Sequence, residues 1–138
     1  MKKCAGFFAF LVLPALLSGP SAAEHAVPFR FTVLGYVKAQ DGKVRPGIQV
    51  RVTREKTGLS YVGATDRTGL YVIVTRLADE SLGEALDLRT PEQAVRIVAR
   101  FDPSDHEHER GTRVDFVGGQ HVELPAAFAD TLGRFLAQ

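Results

Sequence analysis

The chain has 138 residues, 45% of them hydrophobic, with 17 Lys or Arg against 16 Asp or Glu. No basic block is present to track a phosphate backbone, so nucleic acid is not an expected partner. Cys4 is the sole cysteine, which leaves no thiol pair for an intrachain disulfide.

The first 23 residues carry the three regions of a secretory signal peptide in order. Lys2 and Lys3 make a positive start, Phe7 to Leu17 is an apolar run of 11 residues, and Ser21-Ala22-Ala23 supplies small residues before Glu24. That run is shorter than the roughly 20 residues a membrane-spanning helix needs. Cys4 precedes the run, whereas a lipoprotein cysteine would follow it. The expectation is a cleaved signal peptide over residues 1–23, then one domain over 24–138 in the periplasm or outside the cell, with no membrane span. With Lys2 and Lys3 removed, the domain's charge balance turns to about −1, counted from the formal charges with His neutral.

From Phe29 to Ala39 the apolar alternation is blurred, which predicts a strand covered on both faces or bulged at Gly35. Gln40-Asp41-Gly42-Lys43 is a turn, since Gly tolerates positive φ and Asp can accept from its own backbone. Pro46-Gly47 is a second break. Ile48, Val50 and Val52 then alternate with Gln49, Arg51 and Thr53, a half-buried strand. Thr57-Gly58 turns the chain into a strand over 59–65, and Asp66-Arg67-Thr68-Gly69 turns it into another over 70–76. The segment from Leu77 to Gly83 reads as a loop.

Leu86 and Leu88 flank Asp87 on a short strand. Thr90-Pro91-Glu92-Gln93 is a turn with Pro at its second position. Val95, Ile97 and Ala99 mark the next strand. Residues 102–111 are a charged loop. Val114 and Phe116 lead through Gly118-Gly119 to Val122 and Leu124, a hairpin signature. About eight short strands at roughly ten-residue spacing predict an all-β, antiparallel Greek-key sandwich of seven to eight strands. From Pro125 to Leu136 the period changes. Phe128, Leu132, Phe135 and Leu136 recur at helical spacing, and so short a helix needs a surface to dock on.

Gly35-x-Val37, Asp41-Gly42-Lys43, Pro46-Gly47-Ile48-x-Val50-x-Val52 and Thr65-Asp66-x-x-Gly69-x-Tyr71 together resemble a carboxypeptidase regulatory-like domain, which has a transthyretin-like sandwich. The resemblance covers about 45 residues of the first half, counted from the motif's span on the chain. It implies a non-catalytic accessory or binding module with a protein partner and no cofactor. The motif residues read as folding devices: Gly42 and Gly69 for tight turns, Asp66 as an acceptor within its turn, and Tyr71 closing one end of the core with its hydroxyl at the rim. A hydrolase on a related sandwich is a further reading. Yet the tail, Arg134-Phe135-Leu136-Ala137-Gln138, lacks the closing Tyr-Arg-Gly-Ser motif of hydroxyisourate hydrolase. The chain contains no Asn, which excludes a Lys–Asn isopeptide crosslink.

Two groups of side chains could carry chemistry outside the motif. His106 and His108 lie at i and i+2 among Asp105, Glu107 and Glu109. An extended backbone would point both imidazoles one way, and His121 could complete a Zn, Cu or Ni site. The alternative is a solvated charged loop. Arg51, Arg54, Arg67 and Arg76 either blunt sheet edges or gather to bind an anion. Ser60, Ser81 and Ser104 sit in no Gly-x-Ser-x-Gly elbow, and no catalytic residue is predicted.

Overall fold

The computed structural model describes residues 26–138, so the expected signal peptide lies outside the described residues. Eight strands form two four-stranded sheets, followed by one helix. In chain order they are β1 (Arg30–Lys38), β2 (Gln49–Arg54), β3 (Ser60–Ala64), β4 (Leu70–Arg76), β5 (Ala85–Arg89), β6 (Ala94–Val98), β7 (Gly111–Val117), β8 (Gln120–Glu123) and α1 (Phe128–Leu136). One sheet has the order β4-β1-β7-β8 and the other β3-β2-β5-β6. The architecture is the β-sandwich that the strand rhythm predicts.

Alternation explains the packing. Val50, Val52, Leu86 and Leu88 of one sheet face Phe31, Val33, Val37, Tyr71, Ile73, Val114 and Phe116 of the other in one core. On β2 and β5 the intervening residues point outward, because successive strand side chains take opposite faces. Each such aliphatic burial is worth about 1.5–3 kcal/mol.

β1 breaks that rule for a structural reason. Its second face is also covered: Leu34 is buried beneath Phe128 and Leu132 of α1, with Val72 and Phe135 packed around them. A strand buried on both faces has no need of polar alternation. There is no bulge against β4, where the register runs unbroken from Arg30↔Arg76 to Tyr36↔Leu70. The helix therefore docks on its own domain.

One pairing departs from the antiparallel expectation. β1 and β7 are parallel, with Thr32↔Gly111 at one end and Lys38↔Val117 at the other. Periodicity carries no information on strand direction, so nothing local foretold it. The two strands approach closely at two glycines. A Cβ on Gly35 would stand 1.8 Å from the Val114 carbonyl oxygen, and one on Gly111 would stand 2.1 Å from the Thr32 oxygen and 2.5 Å from the Phe128 ring. Beside Gly35 a side chain enters the pairing. The Tyr36 N–H donates to Asp115 Oδ1 at 2.9 Å. Arg113 holds Asp115 through two bonds of 3.0 and 2.8 Å and donates to Thr131 Oγ1 of α1 at 3.1 Å.

Tyr71 corrects the sequence reading. Its ring closes the core as expected, but its hydroxyl is not at the rim. The residue is 0% exposed, and its O–H donates to the Val114 carbonyl at 2.6 Å. Burial, and then the nearby Asp115 carboxylate, push the phenol well above its ordinary range, so it is a permanent donor. Gly35, Val114 and Tyr71 thus form one packed unit.

Substituting Gly35 with Ala is expected to destabilise the domain by at least about 3 kcal/mol, because a backbone oxygen cannot retreat from the added methyl. Urea unfolding of Gly35→Ala beside Gly119→Ala, whose added Cβ meets nothing within 4 Å and whose φ is not positive, checks this. Equal midpoints for the two variants would refute it.

Candidate functional site

The family-like motif gathers at one end of the sandwich, where it serves folding. Asp66 Oδ1 accepts from Thr68 N at 2.8 Å, Thr68 Oγ1 at 2.6 Å and Leu70 N at 3.1 Å. Asp41 Oδ1 accepts from Lys43 N at 3.0 Å. Gly42 and Gly69 hold φ of 85° and 80°, values that favour glycine. Past Pro46, the Gly47 N–H donates to the Thr65 carbonyl at 2.8 Å, and the Val37 N–H donates to that of Gly69 at 2.9 Å. These bonds stitch three turns together.

The charged loop of residues 102–111 lies at the other end. It is folded around Arg110, a residue that sequence reasoning passed over. Its guanidinium is 3% exposed and lies 4.3 Å from the centre of the Phe101 ring. It donates to the carbonyls of Pro28 (3.2 Å), Asp102 (3.4 Å), Pro103 (3.4 Å) and Asp105 (3.1 Å). Asp79 Oδ1 is 2.7 Å from Arg110 Nη2 as an ion pair. That contact is poorly aligned, for neither this oxygen nor Arg110 Nε has a hydrogen-bond partner. An arginine two residues after a histidine, on a charged loop, offered no signal of such burial.

The two loop histidines do not converge. His106 Nε2 is 2.8 Å from Asp79 Oδ2, and His108 Nδ1 is 2.8 Å from Asp105 Oδ2. His121 sits on β8 opposite Phe116, near the far end of β7 from the loop. At about 3.3 Å per residue, the five steps from Gly111 to Phe116 span roughly 16 Å, so the hairpin holds His121 away from the pair. Among the described residues no group of three or more His, Cys, Asp or Glu is placed to hold a metal ion. The loop bends rather than extends, which is why the i, i+2 argument fails.

The loop carboxylates are instead tied into the fold. The Arg110 guanidinium, and then the His106 imidazole, hold the Asp79 carboxyl below its usual range. The backbone N–H groups of His108 and Glu107, and then the His108 ring, bring Asp105 down from 3.8 to about 2. The three serines are also occupied. Ser60 bonds Thr53, Ser81 accepts from Arg54, and Ser104 donates to Asp102.

Next to this loop is an open groove of about 730 Å³. Val72 and Val74 of β4, Leu59 at the start of β3, and Leu132, Phe135 and Leu136 of α1 line it. Both bordering strands are sheet edges. Arg30 spans the groove's end to Glu109 of the loop, with Nε donating to Oε2 at 2.9 Å and Nη2 to Oε1. Tyr61 accepts from the Arg76 N–H at 3.2 Å, joining the two edges. Leu59, Val74 and Leu136 are 51, 52 and 66% exposed, although each lines the concavity. Such a volume and apolar lining fall within the range of ligand and peptide clefts.

No family model matches this chain. No curated protein matches it either. Among solved structures, the dioxygenase domain of a dioxygenase carbohydrate-binding protein fusion from Streptomyces sp. SirexAA-E is similar with a TM-score of 0.46 and 14% identity, over 67% of this chain and 81% of that one. Chlorocatechol 1,2-dioxygenase from Pseudomonas putida is similar with a TM-score of 0.43 and 14% identity, over 64% of this chain and 59% of that one. At such scores the likeness carries no argument about chemistry.

Two outcomes are expected for the loop. Asp105 has a depressed folded pKa, so its contribution is full above the usual 3.8 and is lost as pH falls through about 2. The amide shifts of Glu107 and His108, followed by NMR, should titrate near the lower value; a midpoint near the ordinary one would contradict the bonding described. Arg110→Lys should free the loop, because an ammonium cannot reproduce the planar fork that serves four carbonyls. Faster amide exchange confined to residues 102–109 is the expected reading, and unchanged exchange would show that the fork is dispensable.

Proposed function

We propose that this chain is a non-enzymatic binding module of the carboxypeptidase regulatory-like kind, acting in the periplasm or outside the cell on a protein partner. The groove between α1 and the β3 and β4 edges carries this reading. Much of its lining is apolar, and its Val74, Leu59 and Leu136 stand half or more in water. Exposed apolar residues gathered along one cleft are the mark of a recognition surface.

The motif residues support the same conclusion by exclusion. Gly35, Asp41, Gly42, Gly47, Asp66, Gly69 and Tyr71 all have structural work in turns or the core. Nucleophilic catalysis needs a hydroxyl or thiol within hydrogen-bond reach of a base. Here His106 and His108 bond carboxylates, and Ser60 and Ser104 bond other partners. No helix among the described residues is long and apolar enough to cross a membrane.

The test places a photo-crosslinking amino acid at Val74 or Leu136 in the native host, with Lys43 at the motif end as control. Discrete protein adducts from both groove positions and none from Lys43 are expected. Absence of adducts at both groove positions would overturn the reading. So would a purified protein that turns over a substrate and loses that activity when His106 or His108 is replaced.

A further inference from the structure

The outer face of the second sheet holds a feature that the fold does not use. Arg51 of β2 and Arg89 of β5 are directly opposed in the antiparallel register. Both side chains point away from the core, because their neighbours Val50, Val52 and Leu88 are buried in it. Opposed Cβ atoms in such a pair lie roughly 4.5–5.5 Å apart, and like charges placed so are destabilising.

The charges around them do not balance. On this face lie Arg51, Arg89, Arg96, Asp87 and Glu55. Asp87 Oδ2 accepts from Arg89 Nε at 2.6 Å, and Glu55 Oε1 accepts from Arg96 Nε at 3.0 Å. Arg51 has no hydrogen bond or ion pair among the described residues. Apart from Gln49, the side chains beside it are short: Thr53, Ser60 and Ala64 on β2 and β3, and Ala94 on β6. The arginines therefore stand above a level surface, with the half-exposed Val62 beside Arg51.

We infer that this sheet face, centred on Arg51 and Arg89, is a second recognition surface that binds an extended acidic peptide segment of a protein partner. Guanidinium groups accept carboxylates in bidentate fashion, and two neighbouring ones can hold two carboxylates of one strand. A bound carboxylate would also remove the repulsion that the free fold bears. The short side chains leave room for an extended backbone, and Val62 offers an apolar contact beside the charge. Arg51 and Arg89 lie on the sheet away from α1 and do not line the groove.

The experiment is a fluorescence anisotropy titration of the whole chain with a labelled oligoglutamate peptide, with oligoglutamine and a sulfated polysaccharide as comparisons. Oligoglutamate should bind, oligoglutamine should not, and added salt should weaken the binding. Arg51→Ala and Arg89→Ala should each weaken it at least about tenfold, the scale of one lost charge-assisted bond. The melting temperature of Arg51→Ala should be equal to or above that of the parent, which separates lost recognition from lost folding. Arg51→Gln, which keeps the stem, should lose affinity as the alanine variant does. Affinity unchanged in Arg51→Ala and Arg51→Gln, no oligoglutamate binding, or a preference for the polysaccharide over oligoglutamate would overturn the proposal.

Discussion

The close approach of β1 to β7 is the constraint on which the rest of this structure depends. Both strands have partners of both senses: β1 is antiparallel to β4 and parallel to β7, and β7 is in turn antiparallel to β8. β1 also lies between two apolar layers, the sandwich core and α1. Gly35 and Gly111 let the two backbones meet where any side chain would collide. The Val114 carbonyl at that contact is the acceptor for the buried Tyr71 hydroxyl. Leaving such an acceptor unmet would cost about 1–3 kcal/mol. Asp115, one residue on, accepts the Tyr36 amide and is held by Arg113, which reaches Thr131 on the helix. Loosening the glycine contact would thus disturb the core, the sheet and the helix together.

Polarity is divided between the two ends of the sandwich. At one end the Asp and Gly turns close on themselves through short local bonds. At the other, a buried arginine organises a loop that would otherwise have few contacts. Arginine suits this place because its planar fork can serve several carbonyls and still rest on an aromatic ring. Asp79 joins the end of the β4 segment to this loop, and Glu109 joins the loop to the start of β1. The groove opens beside these contacts, bordered by rigid edges. A site placed on packed strands and a docked helix keeps its shape without a ligand, which lowers the entropy cost of recognition.

The outward faces tell the two sheets apart. On the first, α1 covers the apolar centre, and the groove is the part it leaves open. On the second, no helix lies against the face in the described residues, and polar and small side chains fill it. An uncovered antiparallel face of this kind is stable in water without a partner. That is why the opposed pair Arg51 and Arg89 is notable: burial does not require it and repulsion opposes it.

Much of this was legible in local pattern. Period-two runs, Asp-Gly and Gly-Gly turns and a change of period at Pro125 determined the eight strands and the closing helix, because these signals act over a few residues. The same locality sets the limit. His106 and His108 looked like joint ligands only while their backbone was taken as extended; a turn held by Asp105 sends them to separate carboxylates. The burial of Arg110, the inward hydroxyl of Tyr71, the parallel β1–β7 pair and the alignment of Arg51 with Arg89 all join residues far apart in the chain. The amino-acid sequence by itself determined which segments are strands and which face of each is apolar. Only the tertiary structure decided which strands meet, which polar groups are buried and where a groove is left, since those outcomes depend on packing between distant segments.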